Sequence, residues 1–250
     1  MIFRRMHSLT AYALALLLGT TACASTRSAP AASVSTPAAS ESLPNDVKWV
    51  RGSAEYRALT REVYALAGDR LSELVRALPA QRWAVNLDAD ETVLDNSEYQ
   101  RRLAVAHASF DAKSWTSWVN ERAAPAVPGA RVFTTLVRSL GGRVVIVTNR
   151  SMAECDATRE NLRGVGIEAD VVLCQPAGEA DKNPRFQRVQ SGSAVPGLPA
   201  LTVVEWLGDN IQDFPSLTQA VRADSAALGE FGKRYFILPN PMYGSWEHAH

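Results

Sequence analysis

Asp88 and Asp90 stand one residue apart in "LDADETVLDN" (residues 87–96), directly behind the apolar run "WAV". Two carboxylates this close repel each other, so one of them must hold its proton more tightly than usual. Such a pair can carry phosphoryl transfer. One carboxylate attacks phosphorus and forms an acyl phosphate; the other gives its proton to the leaving alkoxide and later takes one from water. Asp88 is read as the nucleophile and Asp90 as the acid and base. A solvated acidic loop is the plain alternative for the pair taken alone. A calcium loop starting at Asp88 fails, because Val93 stands where Gly is needed and Tyr99 where Glu is needed.

Other polar residues fit the same chemistry. Asp209 and Asp213 lie in "LGDNIQDF" (207–214), Thr148 and Asn149 in "VVIVTNR" (144–150), and Lys182 in "DKNP". Mg²⁺ prefers a few carboxylates together with water and phosphate oxygens. Asp88, the main-chain carbonyl of Asp90, Asp209 and Asp213 are its expected ligands, with Asp213 equally able to cap or orient. Thr148, Asn149 and Lys182 are expected at the phosphate, where Lys182 balances charge on both phosphate and nucleophile. Each has a blander reading by itself: Thr148 and Asn149 as a strand end and helix start, Lys182 as a turn residue. His107, His248 and His250 have no triad or metal spacing.

These residues converge only if particular elements carry them. Apolar runs at 82–88, 142–149, 169–174, 201–209 and 234–239 read as strands, and their unbroken hydrophobicity predicts burial on both faces. "GARVFTTLVRSLG" and "SMAECDATRENLRGVG" read as crossover helices ended by glycine. The alternation is that of a Rossmann-like α/β fold with a parallel sheet flanked by helices. In such a sheet ligands sit beyond the carboxyl ends of the strands, where the polar residues fall. Leu59, Val63, Leu66, Leu74 and Leu78 recur at helical spacing and predict one or two helices packed on the domain.

"LDADETVLDNSEY", "VVIVTNR", Lys182 and "LGDNIQDF" resemble, in order, the four motifs of the haloacid dehalogenase superfamily of phosphohydrolases. The tail "FILPNPMYGSWE", with "SWTSWV" and "AVPGA", narrows the resemblance to class C acid phosphatases, also called the lipoprotein e family of outer-membrane 5'-nucleotidases. It covers the chain from about residue 50 to the end. It implies a Mg²⁺-dependent phosphomonoesterase with a low pH optimum, acting often on nucleoside monophosphates, and it implies a possible homodimer. Asp88 and Asp90 match the family's nucleophile and acid/base positions, Thr148 and Lys182 its phosphate positions, and Asp209 and Asp213 its metal-region acids. Ala89 stands where close relatives often carry Leu. Phosphoryl transfer to an alcohol or nucleoside is the alternative reaction, and a surface binding protein on the same fold is the alternative outside enzymes.

Residues 95–127 fall where this superfamily inserts its cap, and they read as two short helices forming a small lid. Trp115 in that lid and Tyr243 in "NPMYGSW" are expected to sandwich a nucleobase, since stacking on aromatic faces tolerates any base. Trp118 is read as core.

The remaining features concern location. Residues 1–22 have the layout of a signal peptide, with Arg4 and Arg5 before the apolar run "LTAYALALLLGT". Cys23 is read as the acceptor of a lipid anchor, although Thr20 stands where lipoprotein signals usually carry Leu; ordinary cleavage to a free periplasmic protein is the alternative. Residues 23–45 are Ala-, Ser- and Pro-rich and read as a tether, leaving 46–250 as the catalytic domain of an exported protein. Lys plus Arg and Asp plus Glu number 26 each, so no basic surface points to a nucleic-acid polymer. Cys155 and Cys174 are expected as separate buried thiols at one edge of the sheet.

Overall fold

The computed structural model describes residues 43–248; the leader, Cys23 and the tether up to residue 42 lie outside them. Five strands, β1 (Trp83–Leu87), β2 (Arg143–Ser151), β3 (Val171–Gln175), β4 (Thr202–Gly208) and β5 (Tyr235–Ile237), form one sheet in the order β3-β2-β1-β4-β5. Every pairing is parallel. Before β1 come α1 (Asn45–Gly52) and α2 (Ala54–Leu74), and between β1 and β2 lie α3 (Ser97–Val105), α4 (Ala112–Glu121) and α5 (Ala130–Ser139). α6 (Cys155–Gly164) joins β2 to β3, and α7 (Asn183–Ser191) joins β3 to β4.

Both faces of the sheet are covered, as unbroken apolar strands require. Trp83, Val85 and Leu87 face one core and Ala84 the other. β1 is central, with β2 and β4 on either side. Asp88 thus emerges in the middle of the sheet's carboxyl edge, beside the segments that carry Thr148 and Asp209. β2 runs on past its expected end: Thr148 and Asn149 lie within it, where its register with β3 breaks between Val147 and Ser151.

Two sequence expectations are corrected and one element is added. The helix expected from Ser53 onward is α2, but Leu59, Leu66 and Leu74 are exposed. Its buried face is Tyr56, Thr60, Tyr64, Ala67, Gly68 and Leu71. Gly68 marks the buried face, because a Cβ there would sit 3.0 Å from Leu136 Cδ2 of α5; small residues of α2 leave room for that leucine. Cys155 and Cys174 are joined by a disulfide. Neighbouring β2 and β3 bring the start of α6 against the end of β3, with a Cα–Cα distance of 5.8 Å, inside the span a disulfide bridges. Finally, α1 was not foreseen as a helix. It buries Val47 and Val50 in a cluster with Tyr56 and Met242, which Tyr243 flanks.

The segment expected as a lid, 95–127, folds as α3 and α4 joined by a loop that carries Phe110. Asp111 caps α4 by accepting from the amides of Lys113 and Ser114 at 3.0 and 3.1 Å. Glu98 of α3 pairs with Arg51 of α1 at 3.0 Å, and Arg102 pairs with Glu121 of α4 at 2.6 Å. Trp118 is buried and donates its indole N–H to Asn96 Oδ1 at 2.8 Å, as its core reading requires. Ala89 also lies wholly in the core, so its departure from Leu is a matter of packing. Among the described residues no helix is long and apolar enough to cross a membrane.

Candidate active site

The turn after β1 is wound tightly enough to separate its two aspartates. Ala89 carbonyl accepts from the amides of Val93 and Leu94, at 3.0 and 2.8 Å, and Glu91 takes a left-handed conformation with φ of 53°. The Glu91 carboxyl is buried and accepts from the Asn96 amide at 2.8 Å and from its side chain at 3.3 Å. Burial first, and then the charges of Asp90 and Asp209, push its pKa well up. Glu91 and Asn96 brace the turn from within.

On one side of that turn lies a carboxylate cluster. One oxygen from each of Asp88, Asp209 and Asp213 lies within 4.8 Å of the others. Asp209 follows β4 and is held by Thr92 Oγ1 at 3.2 Å and Asn240 Nδ2 at 2.9 Å. Asp213 caps its own short turn, accepting from the Asn210 amide at 2.9 Å, and a Cβ on Gly208 would overlap its side chain. Only glycine lets Asp213 come so close to the end of β4. Lys182 Nζ donates to Asp88 Oδ1 and, at 2.6 Å, to Asp213 Oδ1.

The charges do not balance. Burial drives Asp88 up to about 7 even against the attraction of Lys182, with Asp213 and Asp90 adding repulsion. Asp209 is also pushed well up by burial, then by Asp213 and Asp88. Burial opposes the charge on Lys182, but Asp213 and Asp88 together outweigh it and leave its pKa raised. A further cation among these oxygens would relieve the repulsion, and hard oxygen donors suit a divalent ion such as Mg²⁺. The donor set therefore fits a metal held by Asp88, Asp209 and Asp213.

Asp90 belongs to the opposite side. Its carboxylate is not part of the acid cluster; it meets Arg150, whose Nη2 and Nε donate to Oδ1 at 2.7 and 3.0 Å. Of the expected metal ligands, it is the one whose side chain points elsewhere. Thr148 Oγ1 accepts from the Arg150 amide at 3.1 Å, which leaves its own hydrogen for another acceptor. The Asn149 side chain is committed to structure: its Nδ2 donates to Ala180 carbonyl at 3.0 Å, and its Oδ1 accepts from Arg185 Nη2 at 2.6 Å. Arg185 also donates to Thr148 carbonyl at 2.5 Å, so a single buried guanidinium ties the end of β2 to the loop that carries Lys182.

Asp88, Asp90, Arg150, Lys182, Asp209 and Asp213 line a cavity of about 1220 Å³. Phe110, Trp115 and Tyr243 contribute to its apolar wall, and Asp88, Asp90 and Lys182 to its polar floor. Trp115 is flanked by Tyr99 and Phe110, with centroids at 5.2 and 6.4 Å, and Arg150 lies over its ring at 5.5 Å. Phe110, 65% exposed, presents the freer face.

Sequence reasoning missed Arg150, Arg185, Asn96, Asn240 and Phe110. Arg150 closes the very stretch "VVIVTNR", and a charge at the end of a buried strand was the available signal. Asn96 closes "LDADETVLDN" and Asn240 lies in the tail "FILPNPMYGSWE", so both were in stretches already singled out; Arg185 and Phe110 carry no comparable mark.

The model for HAD superfamily, subfamily IIIB (acid phosphatase) matches residues 7–246. Two structures of the class C acid phosphatase from Bacillus anthracis, one with tungstate bound, superpose with TM-scores of 0.74 and 0.73 at 30% and 29% identity. Each comparison covers 82% of this chain and 86% of that one. Curated relatives are the stem 28 kDa glycoprotein of Glycine max, 25% identical over 163 residues, and acid phosphatase 1 of Solanum lycopersicum, 26% identical over 157. Both matches cover 62% of this chain but only 57% and 56% of those proteins. With its family model matched from end to end of the described fold, and with a parallel sheet delivering acids from β1 and β4, the chain belongs to HAD subfamily IIIB, the acid phosphatases.

Proposed function

We propose that this protein hydrolyses phosphomonoesters through an aspartyl-phosphate on Asp88, with Mg²⁺ as cofactor and nucleoside 5'-monophosphates as preferred substrates. One observation carries the reading: the two aspartates of one turn face different partners. Asp88 lies with Lys182 and the acid cluster, whereas Asp90 lies apart with Arg150. This division supports a nucleophile and a separate proton donor.

Lys182 and the Thr148 hydroxyl hold the phosphoryl oxygens, and Asp88 attacks phosphorus as the bond to the leaving oxygen breaks. Asp90 protonates that oxygen and then takes a proton from the water that releases phosphate. Asp88, Asp209 and Asp213 would hold Mg²⁺, which supplies positive charge to the phosphoryl group. Phe110, Trp115 and Tyr243 receive an aromatic leaving group. The Cys155–Cys174 disulfide supports an exported protein in an oxidising compartment, in keeping with the signal-peptide and lipid-anchor reading of residues 1–23.

The test is a panel of nucleotides, sugar phosphates and aryl phosphates assayed with Mg²⁺ and again after chelation. Phosphate release that fails on chelation and returns with Mg²⁺ is expected. Asp88→Asn keeps the side chain's shape but cannot attack phosphorus, so turnover should fall by at least about three orders of magnitude with the fold intact. Hydrolysis near the normal rate by that variant would remove the nucleophile assignment.

A further inference from the structure

Asp90 Oδ1 accepts three hydrogen bonds: from Arg150 Nη2 at 2.7 Å, from Arg150 Nε at 3.0 Å and from Asn96 Nδ2 at 2.8 Å. Oδ2 receives a single long one, from Arg150 Nε at 3.3 Å. The two oxygens are therefore unequal, since a filled acceptor is a poor place for a proton.

Arg150 is itself immobilised. Its side chain is 1% exposed; Nη1 donates to Thr158 Oγ1 and Nη2 to Asn96 Oδ1, each at 3.2 Å. Trp115 of the lid lies against the guanidinium. Four elements thus converge on one side chain: β2 carries it, the turn after β1 and α6 hold it, and α4 covers it. Asp90 lines the cavity, so Oδ2, with its single long hydrogen bond, is the oxygen left for a substrate.

We infer that Arg150 is a positioning residue for leaving-group protonation, one that saturates Asp90 Oδ1 and aims Oδ2 at the leaving oxygen. The inference rests on the acid role proposed for Asp90. As the P–O bond breaks and its electron pair stays on the leaving oxygen, the Oδ2 proton moves to that oxygen, and the resulting carboxylate stays paired with Arg150. When water attacks the phosphoryl group on Asp88, Oδ2 takes the water's proton and is restored.

Arg150→Lys keeps the charge and loses the planar fork. Its kcat/KM on alkyl phosphates, which reports phosphoryl transfer to Asp88 and not the shared water step, should drop at least about tenfold more than on p-nitrophenyl phosphate, whose leaving group needs no proton. Inhibition by inorganic phosphate should stay within about twofold, and adding Arg150→Lys to Asp90→Asn should cost less than about twofold more, because the two act as one unit. Thr158→Val frees one arm of Arg150 without removing charge; it should show a weaker form of the same selectivity, and it carries the test if Arg150→Lys does not fold. Parallel losses on both substrates, or additive effects in the double variant, overturn the positioning role. If Asp90→Asn is itself indifferent to the leaving group, the acid assignment falls and the inference with it; if Asp90→Asn is selective and the Arg150 and Thr158 variants are not, only the inference falls.

Discussion

Lys182 Nζ bridges Asp88 and Asp213 in a buried setting, and this single contact has consequences for both stability and metal binding. Removing one partner of a buried ion pair leaves the other charge without compensation, at a cost of about 3–5 kcal/mol. Lys182→Met, which retains the stem, should therefore lower the unfolding free energy by about that much in metal-free solution. A divalent ion bound by Asp88, Asp209 and Asp213 would supply the missing charge. Mg²⁺ should accordingly bind Lys182→Met more tightly and stabilise it by a larger increment than the unaltered protein at the same concentration. Urea titrations with and without Mg²⁺ measure this directly; an equal Mg²⁺ increment in both proteins would mean that the lysine and the metal do not share carboxylates.

At the scale of elements, β4 carries a burden unrelated to the site. Glu205 is fully buried within the strand, and neither carboxyl oxygen has a hydrogen-bond partner among the described residues. Burial pushes its pKa from about 4.5 up to about 9. Below the lower value both folded and unfolded chains hold the proton, so no stability is lost. As pH rises from there, the unfolded chain ionises and gains hydration while the folded chain does not, and stability declines until the folded value is passed. Glu205→Gln should remove that decline: little difference near pH 4, and a widening advantage of the variant toward pH 9, on the order of several kcal/mol. Chemical denaturation at stepped pH decides, and curves that stay parallel would show that Glu205 does not titrate with folding. The acid itself is visible in "LTVVEWLGD", but its lack of a partner was not legible, because the run reads the same whether or not a neighbouring element supplies a hydrogen bond. What was legible depended on local pattern: the parallel strands and the residues at their carboxyl ends. What was not depended on approach distance between elements. The leucines of α2 were assigned inward because spacing alone cannot tell a leucine face from a face of Ala67 and Gly68 that admits α5. The disulfide needed the separation of β2 and β3, and Arg150 needed the lid above it.

Taken whole, the molecule builds its cavity from segments distant in sequence. The lid contributes Phe110 and Trp115, the C-terminal tail contributes Tyr243, and α1 contributes Val47 while packing beneath the tail. These aromatic residues do not have equivalent roles. Trp115 backs Arg150 and is flanked by Tyr99, so its removal should weaken leaving-group protonation as well as the fit of a base. Phe110 and Tyr243 touch none of the proton-transfer groups by hydrogen bond or ion pair among the interactions described. Stacking on an aromatic face contributes about 1–3 kcal/mol per base, and truncation to alanine removes it. Phe110→Ala and Tyr243→Ala should therefore raise KM for nucleoside 5'-monophosphates by about five- to tenfold or more. A small substrate such as p-nitrophenyl phosphate, which reaches the acids without spanning the wall, should be nearly unaffected, and kcat should hold for both. Trp115→Ala should instead lower kcat on nucleotides in addition to raising their KM, with a smaller loss on p-nitrophenyl phosphate, whose leaving group needs no proton. Steady-state kinetics on the three variants with the two substrates separates these patterns. If Tyr243→Ala and Phe110→Ala weaken both substrates alike, the wall is scaffold, and the preference for nucleotides must be sought elsewhere in the cavity.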